Sequence, residues 1–200
     1  MSRNSSCAGI ILAGGLNSRM AGRNKARLPI EGQTILDRLV ALFRAFFDPI
    51  LIVTNQPRDY LDEGVILVTD LVDIRSSLTG IYSGLFYSPR PHAFITGCDM
   101  PFLKQELLEL IVKNLEARWD VVVPVTEEGY QPLSAIYSRR CLQPMAEQLA
   151  EGKLKVSHFF SKVRIKKVLE TSLRQVDPEL KSFFNINTPE DMVGLEPIGN

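Results

Sequence analysis

Short apolar runs alternate along this chain with stretches of helical spacing, and that alternation leaves few architectures open. Cys7–Leu12 (CAGIIL), Ile50–Thr54 (ILIVT), Val65–Val68, Ala93–Thr96 and Asp120–Val125 read as strands of the buried type. Between the first two, Thr34–Phe47 carries Ile35, Leu36, Leu39, Val40, Phe43, Phe46 and Phe47 at the intervals of one helical face, and Pro49 closes it. Helices are also expected over Leu78–Tyr87, where Gly80 and Gly84 lower the propensity, and over Lys104–Ala117 and Leu142–Ala150. Leu133–Tyr137 and Val163–Leu169 read as further extended segments. A last helix opens at Thr188, an N-cap, with Pro189 at its first position. The expected fold class is α/β: one three-layer α/β/α domain over residues 1–200, built on a central, mostly parallel, twisted sheet.

The 23 basic residues are matched by 23 acidic ones, so no net charge draws the chain to nucleic acid or to an anionic membrane, and any phosphate-binding charge must be local. Cys7, Cys98 and Cys141 are odd in number and scattered, and the only histidines are His92 and His158. That excludes a disulfide framework and a Cys/His zinc site. The polar start MSRNSS and the glycine-broken run after it make a poor signal peptide, and no run reaches the ~18 apolar residues of a membrane span. A cytoplasmic protein is expected, with residues 1–6 as a disordered leader.

In open α/β sheets ligands bind beyond the carboxyl ends of the strands. Gly14-Gly15, Asn55, Asp70 and Asp99 each fall just after an expected strand. The loop from Gly14 to Ile30 holds Arg19, Arg23, Lys25 and Arg27 and no acidic residue. Its glycines let backbone N–H groups wrap an anion, although a solvated basic loop has the same composition. It is not a Walker A loop, since Ala26 follows Lys25, and no GxGxxG follows the first strand. Asp99 suits Mg²⁺, a hard cation that keeps waters and bridges to substrate phosphates, or else it is a turn residue capping the next helix. Asp70 has the same two readings, with Asp73 nearby as a competitor. Asn55 fits a base or ribose contact, or plain turn chemistry. Cys98 has no activating motif and reads as a buried thiol. Asn185 and Asn187 precede the Thr188 cap, in what is on physics alone a loop entering a helix.

Together these segments resemble the molybdenum cofactor guanylyltransferase family, within the Rossmann-like nucleotidyltransferases. The likeness lies in Leu12-Ala13-Gly14-Gly15 through Arg19-Met20 to Lys25, in Asp70, Ser76–Gly80, Cys98-Asp99-Met100-Pro101 and Gln131-Pro132-Leu133, and in Asn185 to Asp191. Three departures stand out: Ala21 replaces a glycine, Asn24 an aspartate, and Ser76-Ser77 a Gly-Pro pair. The resemblance implies that GMP is moved from GTP to the phosphate of molybdopterin, with Mg²⁺ as cofactor. It implies catalytic roles for Arg19, Lys25 and Asp99, and nucleotide contacts at Leu12, Ala13, Gly14, Gly15, Lys25, Asn55, Asp70 and Asp99. Asp99 would be the metal ligand, and Asn185 and Asn187 would sit on the molybdopterin side. Residues 7–100 would form the NTP-binding part and 101–200 the cofactor-substrate part. Ala13-Gly14-Gly15 goes with the guanine-using branch; a cytidylyltransferase for the same cofactor and a sugar-phosphate nucleotidyltransferase are the alternatives. Proteins that deliver or receive the cofactor are further implied partners.

Overall fold

A computed structural model describes residues 6–14, 25–30, 32–186 and 191. Its strands are β1 (Cys7–Leu12), β2 (Pro29–Ile30), β3 (Gln33–Thr34), β4 (Ile50–Val53), β5 (Ile66–Val68), β6 (His92–Gly97), β7 (Val121–Thr126), β8 (Gly129–Tyr130), β9 (Ser134–Ser138) and β10 (Ile165–Leu169). The helices are α1 (Ile35–Phe46), α2 (Ser77–Tyr87), α3 (Gln105–Lys113), α4 (Leu142–Ala150) and α5 (Glu170–Val176). One sheet runs in the order β10-β7-β9-β6-β1-β4-β5, with β8 hairpinned onto β7, while β2 and β3 form a separate small hairpin. Pairings β6–β1, β1–β4, β4–β5 and β10–β7 are parallel. Strand β9 runs antiparallel to both of its neighbours. The α/β class and the mostly parallel central sheet expected from the sequence are therefore present.

Two apolar layers cover the sheet. Residues of α1, α3 and α5, among them Phe43, Leu108 and Leu173, pack on one face with Cys7 and Ile11 of β1. Residues of α2 and α4 pack on the other with Ala8 and Ile10. The β1 side chains alternate between the two, as a strand buried on both faces must. Thr34 caps α1 in a reciprocal box: its Oγ1 accepts from the Asp37 N–H at 3.1 Å, and the Asp37 carboxylate accepts from the Thr34 N–H at 3.1 Å. Helix α3 stops at Lys113, short of the expected Ala117, because the Asn114 amide turns back to the Leu110 carbonyl at 2.9 Å. Helix α5, seven residues long, is too short to print a period on the sequence. The expected helix at Thr188–Pro189 lies outside the described residues.

At the amino end of β7 the Asp120 carboxylate, almost fully buried, takes bonds from Arg164 and Arg140 and ties β7 to β10 and to the end of β9. Burial pushes its pKa up, but the two guanidinium groups outweigh burial and hold it at about 2. No helix among the described residues is long and apolar enough to cross a membrane.

Gly9 is fixed by packing on the α1 face. Phe43, Phe47 and Phe94 meet there with ring centroids 5.1–5.7 Å apart. A Cβ on Gly9 would lie 2.5 Å from Phe43 Cδ2 and 2.8 Å from Phe47 Cδ2. Gly9→Ala should therefore cost about 1–3 kcal/mol by overpacking. A urea denaturation midpoint equal to that of the wild type would contradict this.

Candidate active site

Parallel pairing sets the carboxyl ends of β6, β1, β4 and β5 along one edge of the sheet, in that order. Past those ends come Cys98-Asp99, Ala13-Gly14, Thr54-Asn55 and Thr69-Asp70. The ladder continues one step beyond three of the strands: Ala13 N–H donates to the Val53 carbonyl at 2.8 Å, Cys98 N–H to Leu12 at 3.0 Å, and Thr54 N–H to Val68 at 2.9 Å. The backbone on which the site residues sit is thus pinned to the sheet.

Asn55 and Asp70 clamp each other. The Asn55 amide donates to Asp70 Oδ2 at 2.7 Å, and the Asp70 N–H donates to Asn55 Oδ1 at 3.3 Å. Gly14 is exposed beside them, and a Cβ on it would lie 3.9 Å from Asp70 Oδ2. Asp73, the competing carboxylate, makes no hydrogen bond or ion pair among the described residues. The segment after Asp70 is tied to α2, since Leu71 N–H donates to Ser83 Oγ at 2.9 Å. Ser76 is the N-cap of α2 and accepts from the Thr79 N–H at 3.1 Å. Ser76-Ser77 therefore occupy the N-cap and first helical position, which suit serine as well as a Gly-Pro pair. Gly80 then lets α2 approach Leu12 closely: a Cβ there would stand 3.2 Å from Leu12 Cδ2.

Asp99 is half-buried in the turn after β6. Met100 anchors that turn with its buried sulfur, which accepts from Thr96 Oγ1 at 3.5 Å and Ser134 Oγ at 3.8 Å. Cys98 is half-buried against the α1-side core. On the far side of Asp99 opens a cavity of about 840 Å³. Phe102, Thr126, Gln131 and Asn185 are among its lining residues, and the Phe102 and Phe184 rings stand 6.0 Å apart. Gln131 is held by its amide bond to Thr126 Oγ1 at 3.0 Å. The chain reaches this cavity by way of Asp99 itself, whose carbonyl accepts from the Ile186 N–H at 2.9 Å.

Leu12, Ala13, Gly14, Asn55, Asp70 and Asp99 thus share one edge, and Asn185 lines the cavity beyond it. Gly15, Arg19 and Asn187 lie outside the described residues. Of Lys25 the backbone is described, at the start of the 3₁₀ turn Lys25–Arg27. Sequence reasoning missed Met100 as an anchor and the Phe102–Phe184 pair, because neither contact has a local spacing.

A family model, the MobA-like NTP transferase domain, matches residues 9–167. A molybdenum cofactor guanylyltransferase of Desulfosudis oleivorans is 45% identical over 188 residues, covering 94% of this chain and 93% of its own. The chain belongs to the molybdenum cofactor guanylyltransferase family. A probable molybdenum cofactor guanylyltransferase of Natranaerobius thermophilus is 35% identical, covering 92% and 91% of the two chains. Among solved structures, molybdopterin-guanine dinucleotide biosynthesis protein A of Archaeoglobus fulgidus matches with a TM-score of 0.81 at 25% identity, covering 94% of this chain and 96% of its own. As a member of this guanylyltransferase family the chain is a nucleotidyltransferase, and its fold is that of the group.

Gly97 gives the site a direct test. A Cβ there would fall 2.5 Å from Asp99 Oδ1, so the carboxylate rests against the bare glycine. A side-chain oxygen can swing away at little cost to the fold. If the Asp99 carboxylate serves the chemistry, Gly97→Ala should cut turnover by roughly 10²-fold, the cost of a misplacement of about 1 Å. The melting temperature should change by no more than a few degrees. Full turnover in the variant would show that the position of the Asp99 carboxylate is immaterial.

Proposed function

We propose that the protein transfers GMP from GTP to the terminal phosphate of molybdopterin, releasing pyrophosphate, in molybdopterin guanine dinucleotide biosynthesis. The observation that carries this reading is the shared strand edge. Residues suited to a nucleotide lie on one side of Asp99, and a cavity large enough for a second substrate lies on the other.

In this reaction a phosphate oxygen of molybdopterin bonds to the α-phosphorus of GTP as the bond from that phosphorus to the bridging oxygen of pyrophosphate breaks. The nucleophile is already an anion, so the protein needs no general base. Its task is to bring like charges together and offset the charge on the leaving group. In this reading the backbone N–H groups of the loop after Leu12, with Arg19 and Lys25, cradle the triphosphate. The Asn55–Asp70 clamp holds an acceptor carboxylate in place for the donor groups of the nucleoside. Asn185 and Asn187 serve the molybdopterin side.

A single half-buried carboxylate, Asp99, beside a phosphate-binding loop fits Mg²⁺, which takes its other ligands from substrate phosphates and water. When bound, that ion supplies charge neutralisation and alignment of the phosphates. No group of three or more His, Cys, Asp or Glu suited to a metal occurs among the described residues, so Asp99 would act with the substrate rather than within a protein cage. A cytoplasmic setting, with proteins that deliver molybdopterin or receive the product, completes the reading.

Two measurements test it. Mass spectrometry of products formed from molybdopterin, Mg²⁺ and each NTP should show the GMP adduct, with kcat/KM for GTP at least about 10²-fold above that for CTP, since a site that hydrogen-bonds one base edge rejects a mismatched base strongly. A CTP value equal to or above that for GTP would overturn the guanylyl assignment and leave nucleotidyl transfer standing. Lys25→Ala should lower kcat by about 10²-fold or more, the usual effect of losing one charged transition-state donor. Near-normal kcat would remove Lys25 from the mechanism.

A further inference from the structure

Much of the wall opposite Phe102 is one short segment, residues 178–186. Glu179, Leu180, Lys181, Phe183, Phe184 and Asn185 all line the cavity. The segment has little regular structure: a single 3₁₀ turn, Lys181–Phe183, entered through Leu180 at φ 55°. A leucine in the left-handed region is strained and persists only where its surroundings impose it. Those surroundings are built around a carboxylate. Asp177 caps α5, its N–H donating to the Leu173 carbonyl at 2.8 Å, and its side chain is fully buried. Lys104 Nζ lies 2.7 Å from Asp177 Oδ1, and Asp177 Oδ2 accepts from the Ser182 N–H at 2.8 Å. The Ser182 hydroxyl in turn accepts from the backbone N–H of Lys104 at 3.1 Å. Burial raises the Asp177 pKa, but the Lys104 ammonium and the Ser182 bonds more than reverse this, so the carboxyl sits below its ordinary value and stays charged.

The placement of this clasp is informative. Lys104 stands five residues after Asp99, at the N-cap of α3. The segment is thus fastened to the Asp99 turn twice, at Lys104 through Asp177 and Ser182, and at Asp99 through the Ile186 N–H. Phe102 and Phe184 face each other between the two fastenings. A wall tied only to the core could shift relative to Asp99, whereas this one moves with it. We propose that Asp177, with Lys104 and Ser182, is a positioning residue for the second substrate, setting the 178–186 wall at a fixed distance from Asp99. The proposal rests on molybdopterin occupying this cavity. Asp177 touches neither substrate, and the nucleotide side is held independently by the Asn55–Asp70 clamp.

Steady-state kinetics with each substrate varied in turn tests this. Asp177→Asn should raise KM for molybdopterin at least about tenfold and leave KM for GTP within about twofold, because only the second substrate loses its register. The double variant Asp177→Asn/Lys104→Met separates positioning from stability. Lys104→Met alone strands the fully buried Asp177 carboxylate, whereas with both charges gone no lone charge is left buried, so the melting temperature of the double variant should recover relative to Lys104→Met. If the clasp only stabilises the fold, the KM for molybdopterin recovers with it; if it positions, that KM stays raised. Should Asp177→Asn fail to fold, Ser182→Ala, which keeps both charges and removes the bond to Lys104, should show the same one-sided KM change. Unchanged constants in the variants, or both KM values rising together, would overturn the clasp proposal while a working wild type upholds the function. A wild type that forms no dinucleotide would overturn the function itself, and the clasp role with it.

Discussion

Strand β1 exchanges parallel hydrogen bonds with β6 on one side and β4 on the other, in register from Gly9 to Leu12. The fold and the site both depend on that pairing. Parallel pairing requires crossovers, and the crossovers lay α1 and α2 on opposite faces of the sheet. It also brings the ends of neighbouring strands level, so that Gly14, Asn55, Asp70 and Asp99 arrive at one edge from distant parts of the sequence. The glycine at position 9 admits the Phe43–Phe47–Phe94 cluster at the centre of β1, and the strand needs no other device to be buried on that face.

The site then divides at Asp99. On the β4–β5 side a neutral amide fixes a carboxylate, which suits a nucleoside rich in N–H and O–H donors. On the other side a partly aromatic cavity is walled by a segment fastened through the buried Asp177 carboxylate and its partner Lys104 rather than by regular structure. A catalyst that joins two polyanionic substrates without a nucleophilic side chain must fix distances above all. In the proposed reading the fastenings at Ile186, Ser182 and Asp177 do so for the second substrate.

Much of this was legible in the sequence, because strands buried on both faces and long amphipathic helices print strong patterns. Ile50–Val53 and α1 lie within a residue or so of where the apolar spacing puts them. The antiparallel course of β9 was not legible, since a run such as Ser134–Ser138, buried throughout, carries no sign of direction. Residues of the strand-end loops were legible as candidates because turn chemistry and ligand chemistry favour the same Gly, Asn and Asp. That same overlap is why the sequence alone leaves Asn55 and Asp70 open between the two readings, and their mutual clamp is compatible with both. The Asp177–Lys104 pair had no sequence signal: the two residues are far apart, and an aspartate after a short helix is ordinary turn composition.

The division of the site at Asp99 is tested most directly by a crystal structure of the protein with Mg²⁺ and a GTP analogue that cannot release pyrophosphate. The guanosine should lie against Gly14, Asn55 and Asp70, with the metal on the Asp99 carboxylate and the α-phosphate facing the cavity lined by Phe102 and Phe184. A nucleotide seated inside that cavity, or a metal held away from Asp99, would contradict the account.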